Sequence, residues 1–100
     1  MAGKLTYTED ALGHLDRLSD FLVRSAGAQT ALKVMDGLLD SFDVLGELPY
    51  LGREHPDRLL ASRGYRVYVA GRYVGVYLAT AEGALMMGVY HTKTDWLRME

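Results

Sequence analysis

Along the first half of this chain the apolar positions recur at helical spacing, and in the second half they alternate. Leu5 and Tyr7 stand between Lys4, Thr6 and Thr8, the alternation of a short strand. Thr8 is a fitting helix cap, and Glu9 and Asp10 would occupy the first turn, where the helix dipole favours negative charge. Ala11, Leu12, Leu15, Leu18, Phe21 and Leu22 then predict a helix to about Arg24, broken at Ser25-Ala26-Gly27. A second stripe is clearer. Ala31, Met35, Leu38, Phe42 and Leu45 step by four, three, four and three, with Leu32 and Leu39 widening it. It predicts a helix from about Ala28 to Gly46, with Asp36, Asp40, Asp43 and Glu47 on the other face. So short a break between two striped helices reads as an antiparallel helical hairpin whose stripes need a further layer to cover them.

Pro49 and Gly52 mark a loop, ELPYLGREHPDR, after which the period changes to two. Tyr65, Val67 and Val69 alternate with Arg66 and Tyr68, Ala70-Gly71 turns, and Tyr73 to Leu78 is rich in Val and Tyr. Thr80-Ala81-Glu82-Gly83 turns again before a strand from Ala84 to His91. Three strands with short turns predict an antiparallel meander, with the strand at Leu5 on its edge. The order β-α-α-β-β-β is an α+β domain: a helical hairpin packed on a small antiparallel sheet, one domain over residues 1–100. Repeats, linkers and low-complexity segments are absent.

Composition narrows the function classes. The chain has no cysteine, so it carries neither a disulfide framework nor a thiolate zinc site, which suits a reducing cytoplasm. Its start, MAGKLTYTED, lacks an apolar run of signal-peptide length, and no stretch approaches the roughly 20 apolar residues of a membrane span. A soluble, cytoplasmic protein is expected. The net charge of −2 argues mildly against general nucleic-acid binding. It is unevenly spread: residues 1–50 hold four Lys/Arg against eight Asp/Glu, and residues 51–100 hold seven against five. The second half could therefore present a modest positive face, or simply a mixed solvated surface.

Signatures of nucleophilic or phosphate-loop chemistry are missing: there is no GxSxG, P-loop or GxGxxG after a strand. His14, His55 and His91 fall in different elements without metal-ligand spacing, and no metal or cofactor is expected. Asp36 and Asp40 share a helix face, most simply a solvated one. Arg63, Arg66 and Arg72 lie on or beside the first two meander strands, and His91 and Lys93 end the third. Brought together by neighbouring strands, such groups could hold a phosphate and stabilise its transition-state charge. The plain alternative pairs each arginine with a nearby carboxylate such as Asp57, Glu82 or Asp95.

Taken in order, these pieces resemble the RelE/ParE superfamily of type II toxin–antitoxin toxins over nearly the whole chain. The marks are Ala11 and Leu15 as A-x-x-x-L, then Leu48, Pro49, Gly52, Arg53 and Pro56 as LP-x-x-GR-x-x-P. Gly64-Tyr65-Arg66, Val76-Tyr77, and Val89, His91, Asp95 and Trp96 as V-x-H-x-x-x-DW complete them. The long hairpin, the GR-x-x-P loop and the closing H-x-x-x-DW are closer to the ParE branch. That resemblance implies a plasmid-stabilising growth inhibitor that poisons DNA gyrase without catalysis of its own. It also implies a hetero-oligomer with a cognate antitoxin, a DNA-binding repressor that lays a helix or strand on the groove between hairpin and sheet. Arg53, Arg63, Arg66, Arg72, His91, Lys93 and Trp96 are the expected contacts with target or antitoxin, with closure of the core against the helices as the alternative for Trp96. The RelE-like alternative is a ribosome-dependent mRNA endoribonuclease, with Arg66, Arg72 and His91 or Lys93 on the scissile phosphate. Tyr68 departs from that pattern, standing where a further basic group is expected. A third alternative is a non-toxic interaction module.

Overall fold

A computed structural model of the chain describes residues 3–94. Strand β1 (Lys4–Tyr7) runs straight into helix α1 (Glu9–Ala26) through Thr8, whose Oγ1 accepts from the Ala11 N–H at 3.0 Å. The cap supplies one of the acceptors that a helix start lacks, and Glu9 and Asp10 fill the first turn as expected. Gly27 alone separates α1 from helix α2 (Ala28–Glu47). At φ 91° it holds a left-handed conformation that side chains resist. Its N–H bonds Val23 O at 3.0 Å and its own carbonyl accepts from Ala31 N at 3.0 Å, so one glycine ends one helix and starts the next.

The loop after α2 is more structured than its sequence announced. It contains a two-residue strand, β2 (Arg53–Glu54), and a one-turn helix, α3 (Arg58–Ser62), capped by Asp57 Oδ1 on the N–H groups of Leu59 and Leu60. The meander follows as β3 (Tyr65–Ala70), β4 (Tyr73–Thr80) and β5 (Gly83–His91). Sheet order is β1-β5-β4-β3-β2. The meander pairs are antiparallel as expected, but β1 joins β5 in parallel, Lys4 opposite Gly83 and Tyr7 opposite Met86, so the sheet is mixed and has five strands.

Beyond Met86 the edge of β5 has no strand beside it, and the start of α1 takes over. Thr8 N–H bonds Met86 O at 3.0 Å, Thr8 Oγ1 donates to Met87 O at 3.3 Å, and Val89 N–H donates to His14 Nδ1 at 3.2 Å. A strand edge that would invite another chain is thereby closed by a helix.

The main core lies between hairpin and sheet. Ala11 and Leu15 of α1 and Leu38, Phe42 and Leu45 of α2 meet Tyr77, Ala84, Met86 and Val89. The second stripe buries as its spacing predicts, but Leu12, Phe21 and Leu32 are 50%, 58% and 64% exposed. The buried band of each helix is narrower than its apolar pattern. On the opposite sheet face Val67, Val74 and Val76 form a smaller cluster with Tyr65 and Tyr90. Among the described residues no helix is long and apolar enough to cross a membrane.

Candidate functional site

The basic residues picked out from the sequence fall into two sets at opposite ends of β3. Arg66 lies near its start, opposite Tyr77 in register, and Ala70 lies at its end, opposite Tyr73. Four strand positions at about 3.3 Å each put roughly 13 Å between those points, and Arg72 lies further on, in the β3–β4 turn. Neighbouring strands do not bring Arg66 and Arg72 to one place.

Arg66 is tied into the loop that precedes β2. Its Nη2 donates to Tyr50 O at 3.3 Å and to Gly52 O at 2.5 Å, and its guanidinium sits 5.1 Å from the centre of the Tyr50 ring. Its Nε is buried with no hydrogen-bond partner. Beside it the fully buried Tyr77 donates its hydroxyl proton to Pro49 O at 2.7 Å and accepts from Gly52 N–H at 3.0 Å. Gly52 has room for nothing larger: a Cβ there would lie 2.6 Å from the Tyr77 hydroxyl and against Val67 O. Arg66 and Tyr77 together pin residues 49–52 to the sheet, and no spacing in the sequence signals it. Arg53 and Arg63 flank this region, both exposed. Tyr77→Phe leaves the buried Gly52 N–H unpaired and takes the donor from the part-buried Pro49 carbonyl, so a loss of about 1–3 kcal/mol is expected in urea unfolding.

At the other end, Arg72, His91 and Lys93 converge. Thr92 N–H bonds Arg72 O at 2.8 Å, which ties the β3–β4 turn to the end of β5. The His91 ring meets Tyr73 edge-on at 5.5 Å, and its Nδ1 accepts from Lys93 N–H at 3.0 Å. Thr94 Oγ1 donates to His91 O at 2.7 Å, which closes the turn. Arg72 and Lys93 are exposed on this rim. Trp96 and Asp95 lie outside the described residues.

The same end opens into a trough between hairpin and sheet. One depression of about 410 Å³ is lined by Leu22, Val34, Gly37, Leu38 and the Ala70–Tyr73 turn. Another, of about 360 Å³, is lined by Arg17, Leu18, Phe21, Val89 and His91. Both touch Tyr73, so the two read as one apolar track whose lining includes Arg17, Arg72 and His91, with the exposed Lys93 two residues beyond. The exposed Phe21 belongs to it. The histidines stand apart: His14 on the β5 edge, His91 on the rim, and the buried His55 accepting through Nδ1 from Asp57 N–H at 2.9 Å. Among the described residues no group of three His, Asp or Glu side chains could hold a metal ion.

Comparison with known proteins agrees with this architecture. No curated protein sequence matches the chain. Among solved structures, one described as the chromosomal ParDE TA system from P. aeruginosa superposes with a TM-score of 0.75 at 17% identity, covering 90% of this chain and 96% of the other. At that identity the likeness carries the fold. The family model for the ParE toxin of the type II toxin–antitoxin system parDE matches residues 5–96, a span that takes in the hairpin, the pinned loop, the meander and the closing H-x-x-x-DW. The chain therefore belongs to the ParE toxin family of type II toxin–antitoxin systems.

Proposed function

We propose that this ParE-family protein inhibits DNA gyrase by binding rather than by cleaving a nucleic acid, and that a cognate antitoxin neutralises it by covering the trough between hairpin and sheet. The division of the basic residues carries the reading. Metal-free cleavage of a phosphodiester needs proton-transfer groups and a charge stabiliser within reach of one phosphate. Here Arg66 serves the 49–52 loop, while Arg72, His91 and Lys93 gather beyond the far end of β3. Tyr68, on the strand between the two sets, adds no cation. Arg53, Arg63, Arg72, His91 and Lys93 are then contact groups for target or antitoxin, and the outlying Trp96 is assigned to the same role.

The trough suits the antitoxin. Its floor is apolar and its rim cationic, on a chain whose net charge is −2. An amphipathic partner segment with acidic flanks would bury Phe21 and Tyr73 and pair with Arg17, Arg72 and Lys93.

The test uses the purified, antitoxin-free protein in two assays. Loss of supercoiling and gyrase-linked DNA breaks, with ribosome-bound mRNA intact in primer extension, is the expected result. Unaffected gyrase at high molar excess overturns the proposal, and codon-positioned mRNA cuts would replace it with the endoribonuclease reading.

A further inference from the structure

Away from the trough, four separate segments line an open cavity of about 330 Å³. The opening turns of α1 supply Asp10 and His14, the end of α3 supplies Arg63, the start of β3 supplies Tyr65, and β5 supplies Met87 and Tyr90. Its volume is at the small end of the range for ligand pockets, about 300–1,000 Å³. Of its lining only Arg63 enters the gyrase and antitoxin reading, as an exposed contact group, and only Tyr90 also touches the trough.

The state of each polar wall follows from its contacts. His14 Nδ1 accepts the Val89 N–H, so the ring is neutral with its proton on Nε2. Burial and the nearby Arg17 lower the His14 pKa from 6.5 and hold it in that form at neutral pH, against a smaller opposing pull from Asp10. The ring lies 5.0 Å from that of Tyr90 at a tilt of 55°. Burial, then Asp10 and Tyr65, raise the Tyr90 pKa, so its hydroxyl stays protonated. The cavity thus offers an imidazole N–H, two phenols, one guanidinium and one carboxylate, around aromatic rings and a methionine.

Arg63 and Asp10 offset one another, so the cavity is poorly suited to an isolated anion. Aromatic side chains beside donors and acceptors of both kinds suit a planar heterocycle. The bases differ in what they offer a carboxylate and a guanidinium. Guanine presents O6 and N7 together as acceptors, the pair that arginine takes in bidentate fashion, and its N1–H and N2–H as adjacent donors for a carboxylate. Adenine turns a ring-nitrogen acceptor toward that carboxylate instead, and pairs N7 with a donor. We propose that this cavity binds a guanine nucleoside, Asp10 accepting from the base's N1–H and N2–H, Arg63 donating to O6 and N7, and the Tyr90 and Tyr65 rings flanking its plane.

The test is a calorimetric and ¹⁵N NMR titration of the full chain with guanosine, adenosine, guanosine 5′-monophosphate and inorganic phosphate. Guanosine should bind and shift the His14 ring and Tyr90 backbone signals, with adenosine weaker by about ten-fold or more. Asp10→Asn and Arg63→Gln should each weaken guanosine by about ten-fold while leaving the unfolding midpoint close to that of the parent, because both side chains are exposed. Equal binding of guanosine and adenosine overturns the proposal, as does full binding by Asp10→Asn. Binding of phosphate and the monophosphate without guanosine also overturns it, in favour of an oxyanion at Arg63. None of these outcomes depends on the gyrase assay.

Discussion

Phe42→Ala is expected to remove about 3–5 kcal/mol of stability, out of the roughly 5–15 kcal/mol that holds a typical domain folded. Phe42 is fully buried at the centre of the core, between Leu38 and Leu45 of α2 and the strand residues Tyr77 and Met86. Directly beneath it β4 has no side chain, only Gly75. A Cβ on Gly75 would stand 3.0 Å from Phe42 Cε1 and 2.8 Å from Met86 Sδ. The ring therefore rests on β4 backbone, and the flexible Met86 side chain beside it is the group that can move into the space its loss creates. The more Met86 fills that space, the lower in the range the loss falls. Denaturant unfolding checks the value. A second variant separates cavity from chemistry: Gly75→Ala alone should destabilise by crowding, yet added to Phe42→Ala it should restore part of the loss. If the pair simply adds, the void is not the cause.

Gly83→Ala should be nearly as severe, at about 2–5 kcal/mol from crowding and left-handed backbone together. Gly83 starts β5 at φ 144°, a conformation that side chains avoid. A Cβ there would press on Lys4 O and stand 2.6 Å from Lys4 N and 2.7 Å from Gly46 O. All three atoms are backbone, so none can swing aside. Gly46 is equally confined, its own Cβ position lying 2.8 Å from Leu5 N. The end of α2 and the start of β5 each place a glycine where they cross the backbone at the start of β1. Thermal unfolding reads the effect. Gly37→Ala, on an open face of α2 with nothing within 4 Å, is the control and should be neutral or stabilising.

Local periodicity explains what could be read in advance. The two helices and the meander each repeat an apolar pattern over enough residues to show their period, and each was legible to within two residues at its ends. Arg53-Glu54 is too short to have a period, and its strand exists only because Val67 and Arg66 pair with it. α3 is one turn long, and its one signal was Asp57 after Pro56, a cap placed before a short apolar pair. The direction of β1 could not be read, since its partner lies about eighty residues away and a strand pattern is the same in either sense. The site was less legible than the fold. The basic residues were visible as types, but register alone decides that Arg66 faces the 49–52 loop while Arg72 joins His91 and Lys93. The Asp10, His14 and Tyr90 grouping was hidden for the same reason as β1, because it depends on α1 closing the edge of β5.

That closure has a consequence for synthesis. β1 and the first turns of α1 find their hydrogen-bond partners only in residues 83–91, near the end of the chain. Helices of the hairpin can form early, but they would wait with an uncovered apolar face while the meander is still being made. Contacts so distant in sequence slow folding. The sheet is expected to close only after residues 83–91 have left the ribosomal tunnel, so a nascent chain stays without β5 and the trough it helps to form until then.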